Sequence, residues 1–198
     1  MHRSIKNHLV FVRESIRQFK NIGAIAPSSP YLAGRMTAPI KSRSGLVIVE
    51  LGAGTGSFTK TALLTLPQNG RLLAFESNPI LADKLAQNIH DKRLSIVCAD
   101  AVNLHKELLQ RGITKADYII SGLPLGNMSR QVRARILSEI ELCLAPEGRY
   151  VQFQYFLANA LEIRKRFHVL STQLEPINIP PAFVYVCKTR TKTDTALE

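Results

Sequence analysis

Residues 49–57 read Val-Glu-Leu-Gly-Ala-Gly-Thr-Gly-Ser and follow the apolar run Leu46-Val47-Ile48-Val49. Residue types in this order suit a nucleotide-type cofactor. A strand ending near Leu51 would lead into a tight turn at Gly52, Gly54 and Gly56, where absent side chains let the backbone pass beneath a ligand. A helix starting near Ser57 would then point its free N–H groups back at the bound group. Glycines at this spacing also occur in ordinary loops. Here a strand precedes them, an apolar helix follows, and a carboxylate, Glu76, stands about 20 residues on.

Glu76 closes the run Leu72-Leu73-Ala74-Phe75. A carboxylate at the end of a second strand can accept hydrogen bonds from both hydroxyls of a ribose; alternatively it is solvated or caps the next helix. Asp100 follows Ser95-Ile96-Val97-Cys98-Ala99. It can accept from the exocyclic amine of an adenine with Ala101 near the ring edge, or cap a helix near Val102. Ser77 and Asn78 would border the adenine and ribose, with Pro79 opening a helix.

These residues need a scaffold. The pattern predicts strands at 46–51, 71–76, 94–98, 117–121, 148–155, 167–174 and 182–188, and helices at 57–66, 79–89, 103–111, 129–144 and 157–165. Such alternation implies a doubly wound α/β fold: a seven-stranded, mostly parallel sheet with helices on both faces. Between the last two strands, Glu175-Pro176-Ile177-Asn178-Ile179-Pro180-Pro181 reads as an extended loop, so the final strand is expected to be antiparallel. The expected organisation is an N-terminal helical region and lid (1–45), a cofactor-binding catalytic domain (46–190) and a short tail (191–198).

The first 43 residues carry eight basic residues and one acidic one, within a formal net charge of +11. A field of this sign attracts phosphate-rich surfaces, whether nucleic acid or anionic lipid. Over residues 4–20, Ile5, Leu9, Val12, Ile16 and Phe19 form an apolar helical stripe beside Lys6, Arg13, Arg17 and Lys20. This suits a helix packed on the core with a solvated basic side, or an amphipathic helix lying on a membrane. The apolar loop 21–30 ends in Ser28 and Ser29, which can cap a helix from Pro30 to about Ala38. No stretch approaches the roughly 20 apolar residues that span a bilayer. The chain start is not expected to be a secretory signal. Cys98, Cys143 and Cys187 are expected to be buried thiols in a reducing compartment, without a metal or disulfide.

The ordered set Glu50 through Gly56 (Glu50, Gly52, Ala53, Gly54, Thr55, Gly56), then Glu76 and Asp100, resembles class I S-adenosylmethionine-dependent methyltransferases. The resemblance implies a Rossmann-like sheet, S-adenosylmethionine as cofactor, no metal, and a methionine moiety over the glycine turn near Glu50. Residues 118–127, Tyr-Ile-Ile-Ser-Gly-Leu-Pro-Leu-Gly-Asn, would then turn over the transferable methyl. Ser121, Gly122, Leu123 and Pro124 become the substrate-side residues, with Ser121 also bordering the cofactor. Ribosomal RNA adenine dimethyltransferases have a similar loop built as Asn-Leu-Pro-Tyr. Here Gly122 and Leu125 replace the amide and the stacking ring that a base-directed enzyme needs.

A second resemblance, to bacterial phospholipid N-methyltransferases, runs nearly end to end. It is carried by Phe19-Lys20-Asn21-Ile22-Gly23-Ala24-Ile25-Ala26-Pro27-Ser28-Ser29-Pro30, by the glycine motif, and by Ser121-Gly122-Leu123-Pro124. It implies transfer to the amine of a membrane aminophospholipid such as phosphatidylethanolamine. It also implies that residues 4–20 attach a cytoplasmic protein to the inner, anionic membrane face. Tyr31, Tyr155 and His168 are candidates to handle the amine proton or shape the slot, Tyr31 first because it follows the N-terminal stretch. Arg164, Lys165 and Arg166 can grip phosphate or be a solvated helix end; Tyr185 and Lys188 are undecided. The alternatives are a methyltransferase for nucleic acid or another amine, and a cofactor-binding regulator that touches membrane or RNA.

Overall fold

The computed structural model describes residues 28–155 and 160–190. The first described element is the helix α1 (Pro30–Thr37). Ser29 caps it by accepting from the Leu32 N–H, and Pro30 opens it. A missing N–H costs nothing in the first turn, so proline suits this position. A βα series follows: β1 (Val47–Leu51), α2 (Ser57–Thr65), β2 (Arg71–Phe75), α3 (Pro79–Asn88) and β3 (Leu94–Val97). After a 3₁₀ turn at Ala101–Asn103 come α4 (Leu104–Leu109), β4 (Ala116–Ser121), α5 (Arg130–Cys143) and β5 (Leu144–Gln154). The described chain closes with α6 (Ala160–Arg166), β6 (Phe167–Glu175) and β7 (Ala182–Thr189).

The strand order is β3-β2-β1-β4-β5-β7-β6. Strands β1 to β5 are parallel to their neighbours, and β7 is antiparallel to both β5 and β6. This is the expected seven-stranded sheet. Strand order reverses between β1 and β4, and ligands of open α/β sheets bind at such a switch point, outside the carboxyl ends of the strands. Registers bring Leu51, Phe75, Val97, Ser121 and Gln154 to that one edge. The Gln154–Phe183 and Glu175–Ala182 pairs place the β6–β7 loop there too.

Both sheet faces are covered, so the strands read as near-continuous apolar runs. Ile48, Leu72, Ile120 and Val151 pack beneath α1 and α2, with Leu32, Met36, Phe58 and Ala62. On the other face Val49, Leu51, Leu73, Phe75, Ile119 and Tyr150 meet Leu104, Leu108, Ile136, Leu137 and Ile140 of α4 and α5.

Several expectations need correction. β5 begins at Leu144, not at 148: α5 runs directly into extended backbone, and Leu144 pairs with Ala116 across an irregularity in β4. Gly148 is needed in this stretch because a Cβ there would meet the Ala145 and Asp117 carbonyl oxygens at 2.9 and 3.0 Å. The expected helix at 103–111 is shorter, Leu104–Leu109, and follows directly on a 3₁₀ turn at Ala101–Asn103 that Asp100 caps. Cys143 and Cys187 are buried but Cys98 is exposed, because β3 is the edge strand and its last turn is uncovered. The expected helix over 4–20 and the tail from 191 lie outside the described residues. Among the described residues no helix is long and apolar enough to cross a membrane.

Candidate functional site

The turn between β1 and α2 is held from beneath. The N–H groups of Gly52 and Ala53 both donate to the Phe75 carbonyl, at 2.9 and 3.0 Å, and the Gly122 N–H donates to that of Leu51 at 2.8 Å. Gly52, Gly54 and Gly56 all have positive φ (77°, 54° and 85°), a region that disfavours a Cβ. Their surroundings differ. A Cβ at Gly56 would sit 2.6 Å from Leu85, so this glycine serves helix packing, whereas a Cβ at Gly54 would meet nothing within 4 Å. Open space above Gly54 is where a ligand can approach the backbone. Thr55 is exposed, and Ala53 is buried against Ala74 and Leu85. Gly56 gives α2 no side-chain cap, which leaves its first N–H groups available to an anion.

Two carboxyls flank the turn. Glu50 is 1% exposed on β1; its Oε2 accepts from the Thr59 hydroxyl at 2.5 Å, and its Oε1 is buried without a partner. Burial pushes this carboxyl up to about 8, against the opposing hydrogen bonds from Thr59, and the nearby charge of Glu76 raises it a little further. Glu76 is also buried. Its Oε2 accepts from the Gly54 N–H at 2.8 Å and its Oε1 from the Asn78 N–H at 2.9 Å. Each carboxylate oxygen can accept twice, so one lone pair per oxygen remains for a hydroxyl pair. Asn78 caps α3, with Pro79 in its first turn and half-buried Ser77 just before. Asp100 uses Oδ1 to cap the Val102 N–H at 3.0 Å, and Ala101 is buried beside it. The capping reading of Asp100 is thus correct for one oxygen.

The expected cofactor, S-adenosylmethionine, carries an ammonium, a carboxylate, a ribose and an adenine. The residues present fit it: the partnerless Glu50 Oε1 suits the ammonium, the uncapped start of α2 the carboxylate, the spare acceptors of Glu76 the ribose hydroxyls, and open space above Gly54 lets the ligand reach the backbone. Among the described residues no cluster of side chains suits a metal.

On the substrate side, Ser121 is fully buried, and its Oγ accepts from the Leu123 N–H at 3.3 Å. Gly122 passes so close to the cofactor turn that a Cβ would stand 3.1 Å from the Gly52 carbonyl oxygen. Gln152, which the sequence did not single out, donates from Nε2 to the Leu123 carbonyl at 3.1 Å and accepts from the Tyr150 hydroxyl at 2.8 Å. Arg133 adds a second clamp, donating to the Leu125 carbonyl at 3.1 Å while paired with Glu162. Pro124, exposed, opens the 3₁₀ turn at Leu125–Asn127.

An aromatic row was also missed. Phe58 meets Phe153 edge-on at 5.9 Å, and Phe153 meets Tyr155 at 5.3 Å. The row runs from the start of α2 past Gly122 to Asn178, which hydrogen-bonds Tyr155. The signal in the sequence was the alternation Val151, Phe153, Tyr155, which puts three apolar groups on one face of β5.

Tyr155 is therefore at the carboxyl edge, with its phenol pushed up by burial. Tyr31 is on the first turn of α1, tied to the same edge because the Ser29 N–H donates to Asn178 Oδ1 at 3.1 Å, but its side chain is 59% exposed. His168 is a correction. It pairs with Lys188 near the start of β6, at the end of the sheet opposite the site. Arg164, Lys165 and Arg166 end α6 at that far end, where Arg166 binds Ser138 and Glu141. Tyr185 is buried mid-strand between β5 and β6.

No family model matches the chain. Among solved structures, it superposes with TM-score 0.71 on the 1,6-didemethyltoxoflavin-N1-methyltransferase of Burkholderia thailandensis, covering 94% of this chain and 90% of that one at 15% identity. It matches the N-methyltransferase NodS of Bradyrhizobium japonicum with TM-score 0.66, over 82% and 86% of the chains at 12% identity. These likenesses establish the fold. In sequence, 86 residues are 38% identical to the ribosomal RNA small subunit methyltransferase H of Burkholderia ambifaria, but they span 43% of this chain and 26% of that protein. Over 192 residues the chain is 30% identical to the ornithine lipid N-methyltransferase of Singulisphaera acidiphila, covering 93% of this chain and 97% of that protein. With that span and the cofactor-site geometry together, the chain belongs to the class I S-adenosylmethionine-dependent methyltransferases, in one family with the Singulisphaera enzyme.

Proposed function

We propose that this enzyme methylates the primary amine of a membrane aminolipid, phosphatidylethanolamine or an amino-acid lipid of the ornithine type. The observation that carries the reading is the near-complete span of similarity to an ornithine lipid N-methyltransferase. Local chemistry agrees: Gly122 and Leu125 give the substrate loop neither the amide nor the ring that suits a flipped base.

In this reading Glu76 holds the ribose hydroxyls, Asp100 and Ala101 the adenine edge with Ser77 beside it, and Gly52 to Gly56 the methionine, its ammonium near Glu50. When bound, S-adenosylmethionine supplies a methyl group made electrophilic by the sulfonium. The protein must bring a neutral nitrogen into line with it, and alignment alone can remove several kcal/mol of barrier. Ser121 to Pro124, pinned by Gln152 and Arg133, fix one wall of the slot. Phe58, Phe153 and Tyr155 form a dry wall; taking the amine out of water there lowers its pKa, against the attraction of the ring faces for a cation. With its own pKa raised, the Tyr155 phenol stays protonated at neutral pH and can orient the nitrogen, but it does not take a proton from it. In this reading Tyr31, on the first turn of α1, borders the mouth of the slot.

The test is mass spectrometry of lipids after incubation with cofactor and vesicles that contain phosphatidylethanolamine or ornithine lipid, in separate arms. One headgroup should gain the mass of a methylene per transfer. A second reading, methylation of ribosomal RNA, draws on the partial match to a ribosomal RNA methyltransferase and the formal net charge of +11. It prevails if neither lipid gains mass while small-subunit RNA does.

A further inference from the structure

The β6–β7 loop inverts the usual arrangement of a surface loop. Its polar residue, Asn178, is 3% exposed, while its two apolar neighbours face outward, Ile177 at 57% and Ile179 at 86%. The inversion is built in. Asn178 Oδ1 accepts from the Ser29 N–H, and Asn178 Nδ2 donates to the Pro180 carbonyl at 2.7 Å. Glu175 accepts from the Ile177 N–H at 3.1 Å and from Arg35 Nε at 3.2 Å. Turning Asn178 inward leaves both isoleucines pointing away from the protein. Exposed Tyr31 lies on α1, the helix whose cap the same Asn178 holds.

This apolar rim stands at the carboxyl edge of the sheet, next to the end of β5 and Tyr155. The charge near it is mixed but net basic, within a formal net charge of +11 for the chain. Of the arginines on the described segments 28–37 and 122–135, Arg35 is paired with Glu175 and Arg133 with Glu162, while Arg130 and Arg135 are exposed. Apolar tips on a chain of formal net charge +11 suit the boundary between headgroups and acyl chains of an anionic bilayer, where apolar burial and attraction to lipid charge act together.

We propose that Ile177, Ile179 and Tyr31 form a bilayer-contacting surface at the mouth of the site, so that the acceptor amine enters from the membrane plane. The proposal rests on the aminolipid reading, since only a lipid acceptor requires the mouth to face a bilayer.

The chain contains no tryptophan, so Ile179→Trp creates a single fluorescent reporter. Leu64→Trp is the control, because Leu64 is 85% exposed in the last turn of α2, at the opposite end of the sheet. With vesicles of phosphatidylethanolamine and an anionic phospholipid, I179W emission should shift to shorter wavelength and be quenched by brominated acyl chains, while L64W emission should not change. Ile177→Ser with Ile179→Ser should reduce vesicle-bound protein and turnover on vesicles at least tenfold, with cofactor affinity and melting temperature unchanged. No shift for I179W in the presence of vesicles overturns the surface. So does a shifted emission before vesicles are added, which would mean that the chain's own first 27 residues or a second copy covers the loop. Lipid products of the wild-type protein, measured in the same samples, separate the two ideas. Methylation without insertion removes only the surface, and insertion without methylation removes only the aminolipid acceptor.

Discussion

Gln152 Nε2 lies 3.1 Å from the Leu123 carbonyl oxygen, so a fully buried side chain of β5 holds the turn after β4 that the proposed function assigns to the substrate. Removing this side chain takes the Nε2 donor from the Leu123 carbonyl and the Oε1 acceptor from the Tyr150 hydroxyl. Each such loss in a buried site costs about 1–3 kcal/mol. Gln152→Leu should therefore lower stability by about that amount and kcat by roughly tenfold or more, because turn placement sets acceptor alignment. Cofactor affinity should stay near wild type, since Gln152 touches none of the cofactor turn. Calorimetric titration beside steady-state kinetics checks the split.

Glu50 carries the pH dependence. Its folded pKa is raised from 4.5 to about 8, so folding takes up a proton there. The neutral carboxyl is favoured in the folded state; stability falls as pH rises from about 5 to about 8 and levels off beyond. Glu50→Gln should remove this slope without lowering stability at pH 7. Melting temperatures of the ligand-free protein across that range provide the measurement. A cofactor ammonium placed beside Glu50 would favour its ionised form, so Glu50→Gln should also weaken cofactor binding by about tenfold or more.

Replacing Glu76 removes an acceptor shared between the glycine turn and, in the proposed reading, the cofactor. Glu76→Ala removes the acceptor of the Gly54 and Asn78 N–H groups and the one proposed for the ribose, and should weaken cofactor binding by roughly 1–3 kcal/mol, about 5- to 150-fold. Equilibrium dialysis with the demethylated cofactor measures it. NAD should bind far more weakly than S-adenosylmethionine to the wild type.

The glycines of the turn should divide by consequence. Gly56→Ala drives a Cβ into Leu85 and should lower the melting temperature by several degrees. Gly54→Ala meets open space, so apart from a left-handed-region cost of about 1 kcal/mol its effect should fall on cofactor affinity. Thermal denaturation and titration of both variants distinguish packing from ligand contact.

Much of this was readable because it is local. The glycine turn, the Ser29 and Asn78 caps with the prolines behind them, and Glu76 and Asp100 at strand ends follow from rules acting over a few residues. What the sequence hid depends on which strands are neighbours. Gln152 reaches Leu123 only because β5 pairs with β4, and Phe58 meets Phe153 only across the sheet face. His168 looked like a candidate base until the direction of β6 put it at the far end. Cys98 resembles a core thiol in its apolar run, and it is exposed because nothing lies outside β3.

The most direct test of the account is the fate of a labelled methyl group. Purified protein is incubated with methyl-labelled S-adenosylmethionine, aminolipid vesicles and small ribosomal subunits in one vessel, and the lipid and RNA fractions are then separated and counted. The account predicts label in an aminolipid headgroup and none above background in RNA. Label in RNA with unlabelled lipid would contradict it.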